Sequence, residues 1–389
     1  MDEFEFERVD VCISGKFVGS AVRIGRPDVK AAYGHVPHAM NSGFSFSGYC
    51  QDIGQDLAIS IVGINKNAPH AKIEKFVHSF ANADQKDQKE DRDSYWDKNV
   101  KIHDNLAGII SWLHSPLVQK YGLPLLRVNE KLNPFNEWLS FVKQKYVPNQ
   151  LSYGLSLGCG DGTLERHAIL LKICGRFDAY DNSPKSIEIA KALAAREKID
   201  EISYRASDIN NITLDKGKYD IVFVGSAMHH FSNLEHVTDE IRNSLKPQGL
   251  FVMNEFIGPS QFQWTDKQLR IMNDLLHILP ARLRIDKTTG SIKGEIVRAS
   301  VDYMNQHDPS EAIRSAEIVS VVSRSFRQIE RVDFGGTLLH RLLHGIVSNF
   351  DPAKSEDIAI LKLLIYTEQL LIRENVIPSD FAFFVMSPQ

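Results

Sequence analysis

The chain has 389 residues, of which 43% are hydrophobic and 24% charged, and its formal net charge is −4. That length suits two or three domains, and the composition is globular rather than disordered or fibrous. A slightly acidic chain without a basic stripe is not a general nucleic-acid binder.

The N-terminus, MDEFEFERVD, lacks the basic and apolar regions of a signal peptide. No apolar run is long enough to span a bilayer, so the expected location is cytoplasmic. Residues 1–70 read as an all-β module. VDVCISGKFVGSAVRI (9–24) alternates around Ser14-Gly15-Lys16, a hairpin signal, and GFSFSGYC (43–50) and LAISIVGI (57–64) are further strands. Residues 71–150 read as a helical linker or lid region, with KIEKFVHSFANA and NLAGIISWL as its amphipathic runs. Within it, QKDQKEDRD (85–93) alternates in sign and reads as a solvated linker or helix end.

From Leu151 the rhythm changes to strand alternating with helix. LSYGLSLG (151–158), GRFDAYD (175–181), ISYRAS (202–207), YDIVFVG (219–225) and GLFVMNEF (249–256) are the strands. LERHAILLKIC (164–174), SPKSIEIAKALAAREK (183–198) and LEHVTDEIRNSLKP (234–247) are the helices between them. Ser183 is placed to cap the second of these, with Pro184 at its first position. Such alternation predicts an α/β fold with a doubly wound, mainly parallel sheet.

The strongest local feature is LSLGCGDGTLE, in which a strand runs into Gly158-x-Gly160-x-Gly162 and then a helix. Glycines there permit a tight turn and let a ligand lie against bare backbone at the carboxyl edge of the strands. A dinucleotide fingerprint spaces its glycines for a pyrophosphate. Here the third glycine comes one residue early and Asp161 lies inside the turn, so a cationic ligand suits the site better than an anionic one. Asp181 ends the next strand, about twenty residues on, where a carboxylate can accept ribose hydroxyls. Asp208, after the third strand, can accept from an adenine amine.

LSLGCGDGTLE, YDNSPKSIEIAK, ASDINN, YDIVFVGSAMHHF and LKPQGLFVMNEF, taken in order over residues 150–257, resemble the successive motifs of class I S-adenosylmethionine (SAM)-dependent methyltransferases. The resemblance implies a Rossmann-like seven-stranded sheet over 151–389, with FRQIERVDF (326–334) and DFAFFVMSP (380–388) as its last two strands. It also implies that Gly158, Cys159, Gly160 and Gly162 line the methionine part of SAM and that Asp181 and Asn182 hold the ribose. Asp208 and Ile209 would then flank adenine, and Ser226 would lie beside the cofactor.

The sulfonium already activates the methyl group, so the protein must align a nucleophile and, for a hydroxyl, remove its proton. His229 and His230 follow the fourth strand, where histidine can serve as base; we place His229 toward the pocket and His230 as its structural partner. Glu255 is an alternative base. Residues 258–325 read as an inserted helical substrate lid, in which Gln261, Trp264 and Arg314 are candidate acceptor contacts. His340 and His344 share a helix face, but Arg341 stands where HExxH requires glutamate. The four cysteines, Cys12, Cys50, Cys159 and Cys174, form no CxxC pair. No metal is therefore expected.

Residues 8–65 resemble a β-sandwich module found beside bacterial glycan-modifying enzymes, on the motif RPDV…P…NSGF. That implies a saccharide or glycosylated metabolite as acceptor, or homodimerisation through the module. The leading expectation is methyl transfer to a hydroxyl. Transfer to nitrogen or carbon stays open, as do an NAD-dependent oxidoreductase and a non-enzymatic SAM-binding scaffold. The glycine spacing and Asp161 weigh against the oxidoreductase. The intact turn with Asp181 and Asp208 weighs against the scaffold.

Overall fold

The computed structural model describes residues 8–13, 16–24, 43–45, 58–64, 72–77, 111–122 and 137–389. The chain divides into two compact units, Met1–Gln88 and Lys89–Gln389.

In the first unit, β1 (Arg8–Ile13) and β2 (Lys16–Ile24) pair antiparallel, as the hairpin expected over 9–24 requires. With β3 (Gly43–Ser45), β4 (Ala58–Ile64) and β5 (Lys72–Val77) they make one antiparallel sheet of order β3-β2-β1-β4-β5. Strand β5 corrects the helical reading of KIEKFV. Ile73, Phe76 and Val77 fall at helical spacing, but a short apolar run fits either period, and pairing with β4 decides it. The β-sandwich packing expected of residues 1–70 rests on residues outside the described set, as does most of NLAGIISWL; its end, Trp112–His114, is a single 3-10 turn.

The second unit opens with α1 (Pro116–Gly122) and α2 (Glu137–Lys145). The alternating segment follows: β6 (Leu151–Leu157), α3 (Thr163–Leu170), β7 (Cys174–Asp181), α4 (Pro184–Glu197), β8 (Ile202–Ala206), β9 (Tyr219–Gly225), α5 (Leu234–Ser244) and β10 (Leu245–Phe256). As expected, the Ser183 hydroxyl caps α4 by accepting from the Ser186 N–H at 3.0 Å, with Pro184 in the first turn. Between β10 and the next strand lie α6 (Asp266–Ile278), α7 (Val301–His307) and α8 (Ile318–Val322). The chain ends with β11 (Phe326–Gly335), α9 (Leu339–Leu343), α10 (Ser355–Arg373) and β12 (Phe381–Pro388).

The seven strands are ordered β11-β12-β10-β9-β6-β7-β8. β6 to β10 run parallel, and β12 runs antiparallel to both β10 and β11. This is the seven-stranded mixed sheet that the resemblance implied. The chain leaves β6 outward through β7 and β8, then returns to β9 on the other side of β6. Strand order therefore reverses between β6 and β9, and their carboxyl ends open the crevice where such sheets bind ligands.

Strands covered on both faces must be apolar at odd and even positions alike. Val222, Val224, Phe251, Met253, Phe384 and Met386 bury against α5 and α8 on one face. Ile221, Phe223, Val252, Phe383 and Val385 bury against α2 and its Trp138 on the other. A separate helical layer draws Trp112, Trp264, Leu276, Leu342 and Leu364 around Phe256 and Phe381. Those two phenylalanines are the carboxyl end of β10 and the start of β12, so this layer stands at the same sheet edge as the crevice.

The sheet encloses a charge. Asp178 of β7 is fully buried, and it accepts from Lys218 Nζ at 2.8 Å, Tyr219 Oη at 2.8 Å and Tyr153 Oη at 3.1 Å. Burial opposes its ionisation, but these donors hold it below the usual carboxylate range. Asp178→Ala leaves three donors without their acceptor, and we expect a loss of about 3 kcal/mol in urea unfolding; a loss near zero would mean that the network does not hold β6, β7 and β9 together.

Candidate active site

The turn after β6 sits at the carboxyl edge because Gly158 N and Cys159 N donate to Tyr180 O of β7 at 2.8 and 3.1 Å. Its glycines do different work. A Cβ on Gly158 would lie 2.3 Å from the Ala227 Cβ, and one on Gly162 would lie 2.3 Å from Tyr204 Oη, so both are needed for close packing. Gly160 has φ +53° and nothing within 4 Å of where its Cβ would stand; it is the glycine that leaves space for a ligand. Asp161 Oδ1 accepts from Thr163 N at 3.0 Å and so caps the start of α3.

Asp181 Oδ2 accepts from Gly160 N at 2.9 Å and Oδ1 from Ser183 N at 2.9 Å, which ties the end of β7 to the turn. Burial pushes this carboxyl above its usual range, against those two N–H donors. Asn182 Oδ1 accepts from Ile209 N at 3.0 Å, joining the ends of β7 and β8. Asp208 spends one oxygen on Asn210 N at 3.1 Å and the other on Asn211 Nδ2 at 2.8 Å, so it caps the 3-10 turn Ile209–Asn211. Ile209 is buried in the core. Ser226 is exposed just past β9 with φ 51°, a left-handed conformation that sequence alone does not announce and that concentrates at functional sites.

Two residues escaped the sequence reading. Glu165, on the first turn of α3, is fully buried, and neither oxygen has a hydrogen-bond partner among the described residues. Burial pushes it up to about 7. It lies within electrostatic reach of Cys159, Asp161 and Tyr204. The Ser156 hydroxyl and the Glu165 N–H work against that rise without closing a hydrogen bond, and a buried carboxyl so weakly met beside a glycine turn with open space fits a ligand that carries an ammonium and a sulfonium. The signal was present in LSLGCGDGTLE, whose last residue puts an acid where an amphipathic helix buries its inner face.

The second is Glu311. The structure brings it to His229 and His230, which occupy the 3-10 turn Met228–His230 after β9. His229 Nδ1 donates to Glu255 Oε1. Glu311 faces both imidazoles, with Oε1 at 3.7 Å from His229 Nε2 and Oε2 at 3.7 Å from His230 Nε2. Burial works against charge on His229, yet Glu255 and Glu311 pull its pKa up to about 9, so at neutral pH it already carries a proton. That weighs against His229 as a simple base. Glu255 is fully buried and accepts from Ala227 N at 2.9 Å, Met228 N at 2.6 Å and Phe256 N at 2.7 Å as well as from His229. Its lone pairs are taken; it positions His229 and is not the alternative base.

The substrate candidates are corrected. Trp264 is 2% exposed, stacks on Phe262 and donates Nε1–H to Asp380 Oδ2 at 2.8 Å, which makes it a core residue. Gln261 gives its amide to Asn305 Oδ1 at 2.6 Å. Arg314 forms a bidentate pair with Glu235 at 2.7 and 2.8 Å and a further pair with Glu317, so it fastens the start of α5 to the turn before α8. Aromatic and amide residues look alike in sequence whether they line a pocket or close a core. His344 lies beyond the end of α9, so it does not share a helix face with His340, whose ring packs among Phe256, Phe262, Trp264 and Phe381.

Residues 154–308 match the family model described as "Methyltransferase domain". This part of the chain is a class I methyltransferase domain, of the kind whose cofactor is S-adenosylmethionine. The demethylmenaquinone methyltransferase of Leptospira interrogans is 24% identical over 151 residues, which are 36% of this chain and 60% of that one. A sterol 24-C-methyltransferase of Clavispora lusitaniae is 27% identical over 33% of this chain and 35% of its own. A malonyl-[acyl-carrier protein] O-methyltransferase of Bacillus cereus is 25% identical over 32% and 45%. The chain thus spans less than two thirds of the length of the curated relatives it matches. Among solved structures, an S-adenosylmethionine-dependent methyltransferase from Mesorhizobium loti aligns with 14% identity and a TM-score of 0.39 over 65% of this chain and 97% of that one.

Placing Trp264 in the core has a measurable consequence. Burial pushes Asp380 up to about 7 while the indole N–H works against it. Trp264→Phe removes that donor from a buried group and should cost about 1–3 kcal/mol in urea unfolding; an unchanged midpoint would return Trp264 to the list of pocket residues.

Proposed function

We propose that the protein is a SAM-dependent methyltransferase that delivers the methyl group to a hydroxyl of a small molecule. The observation that carries this reading is the open backbone at Gly160, flanked by the carboxylates of Asp181 and Glu165, at the switch point of the sheet. When bound, the cofactor supplies an activated methyl group. The chain's own residues then have three tasks. The turn from Gly158 to Gly162 leaves the space that the methionine part needs. Asp181, still with lone pairs beyond its two backbone contacts, takes the ribose hydroxyls, while Asn182, Asp208 and Ile209 form the adenine end. Glu165 supplies the negative charge that the ammonium requires.

Ser226, exposed at the end of β9, lies beside the cofactor, and the cluster of His229, His230 and Glu311 faces the acceptor side. A hydroxyl acceptor is favoured because this cluster gathers groups that hold and move protons, which an already acidic carbon or a free amine needs less. The resemblance of residues 8–65 to modules beside glycan-modifying enzymes supports a saccharide or glycosylated metabolite as the acceptor.

Calorimetric titration with S-adenosylhomocysteine, with NADH as control, tests the reading. We expect binding of the former alone. Gly160→Val fills the open side of a left-handed position, and Asp181→Ala removes the ribose contact; each should weaken S-adenosylhomocysteine binding at least tenfold with the fold retained. Unchanged affinity in both would sink the site assignment, and a preference for NADH would sink the function.

Glu165 adds a pH signature. With its pKa near 7 in the free protein, it is largely protonated at pH 6 and must lose that proton to receive a cation. Affinity for S-adenosylhomocysteine should therefore rise from pH 6 to pH 8, by up to about tenfold per unit below the pKa, and the slope should vanish in Glu165→Gln. Parallel slopes in wild type and variant would show that Glu165 does not meet the ammonium.

A further inference from the structure

We propose that His229, His230 and Glu311 form a binding site for one divalent transition-metal cation, with Glu255 and Ser310 orienting the two imidazoles. Both rings have their Nδ1 committed. His229 donates Nδ1–H to the buried carboxylate of Glu255. Ser310 Oγ donates its own proton to Asp308 Oδ1 at 2.9 Å and therefore accepts from His230 Nδ1 at 3.2 Å. In the neutral form each ring thus turns an Nε2 lone pair inward.

What the two Nε2 atoms meet is one carboxylate, Glu311, with a different oxygen toward each at 3.7 Å. That is too long for a hydrogen bond. It is the separation of two ligands of one ion: donors about 2.1 Å from a zinc-sized cation stand roughly 3.4 Å apart in a tetrahedron and at most about 4.2 Å apart. One ligand atom from each of the three residues lies within 4.8 Å of the others. A carboxylate or hydroxyl behind each ligating histidine is the outer support that such sites use to fix tautomer and ring direction.

Charge points the same way. Three carboxylates, Glu255, Glu311 and Asp308, stand around the two imidazoles, an excess of acidic groups that suits a cation. Two histidines and one carboxylate leave coordination positions open, and the side chains of His229, His230 and Glu311 are 11%, 17% and 25% exposed, so an acceptor oxygen can reach the ion. Such an ion would polarise an acceptor hydroxyl and lower its pKa. That use rests on the methyltransferase reading; the site itself does not. The sequence reading expected no metal because the HRLLH pair lacks its glutamate, the cysteines form no pair and no carboxylate cluster of the metal-dependent O-methyltransferase kind is recognisable. Glu311 lies some eighty residues from the histidines, and no local spacing joins them.

The test is titration of the metal-stripped full chain with cobalt(II), followed by visible absorption, and with zinc(II), followed by calorimetry. S-adenosylhomocysteine binding is measured on the same preparations. We expect one ion per chain, at least tenfold weaker uptake in Glu311→Gln and in His230→Ala, and unchanged S-adenosylhomocysteine affinity in His230→Ala. Absence of stoichiometric uptake by the wild type overturns the proposal, and so does equal uptake by wild type and both variants. Loss of S-adenosylhomocysteine binding in the wild type would instead count against the methyltransferase reading, and uptake of the ion would still stand.

Discussion

The buried carboxylate of Glu255 is the constraint on which the acceptor side of the site depends. A charge taken wholly out of water must be met by donors, and here the donors are three backbone N–H groups and an imidazole. Two of those N–H groups belong to Ala227 and Met228, in the turn after β9, whereas Glu255 itself belongs to β10. One side chain therefore fixes the path of the chain between Ser226 and His229. The same turn brings the Ala227 methyl against Gly158, where any Cβ would collide with it. The left-handed backbone of Ser226, the packing of the glycine turn and the direction of the His229 ring follow from that one contact set. A residue that reads in sequence as a possible base thus turns out to be an anchor, because its lone pairs are already taken.

The cofactor side rests on a different balance. The sheet is covered on both faces, so its central strands are filled mainly by apolar side chains on either side and leave no room for ligands. Binding is left to the carboxyl edge, and the reversal of strand order between β6 and β9 opens that edge at the glycine turn. Acidic groups gather there: Asp161, Asp181 and Glu165 stand within a few residues or one strand of each other. Asp161 is satisfied by the start of α3 and Asp181 in part by backbone. Glu165 makes no close hydrogen bond among the described residues, with only the Ser156 hydroxyl and its own N–H near enough to favour its charge against burial, which leaves this edge suited to a cation.

Much of this was legible. Long apolar runs bounded by glycine and a capped helix gave β6 to β9 and α4 to within a residue or two, because period and capping are local properties; β10 begins at Leu245, four residues before the expected start, where the helix expected over 234–247 has already ended at Ser244. The positions of Gly158, Gly160, Asp181 and Asn182 were legible for the same reason: a strand end places a side chain without help from elsewhere. KIEKFV was misread because six residues cannot separate a helical from an extended period, and only the partner strand settles it. Trp264, Gln261 and Arg314 were misread because their types suit both a pocket and a structural contact. Which of the two they serve depends on Asp380, Asn305 and Glu235, residues far away in sequence.

Glu311 shows where such reading stops and why. Its neighbours in sequence, Asp308 and Ser310, look like an ordinary helix cap, and the cap reading is locally correct, since Ser310 N and Oγ both bond to Asp308 Oδ1. The same serine, however, supports His230 from behind. The backbone of Ile313 bonds to His229 O at 3.1 Å and pins this turn against the one after β9. A turn that only closed the loop before α8 would have no reason to point a carboxylate at two imidazoles. Aimed there, Glu311 has its charge opposed by burial and by Asp308 and Glu255 but favoured by His229, so the imidazole already offsets part of the cost. A cation held between Glu311 and the two histidines would offset the rest.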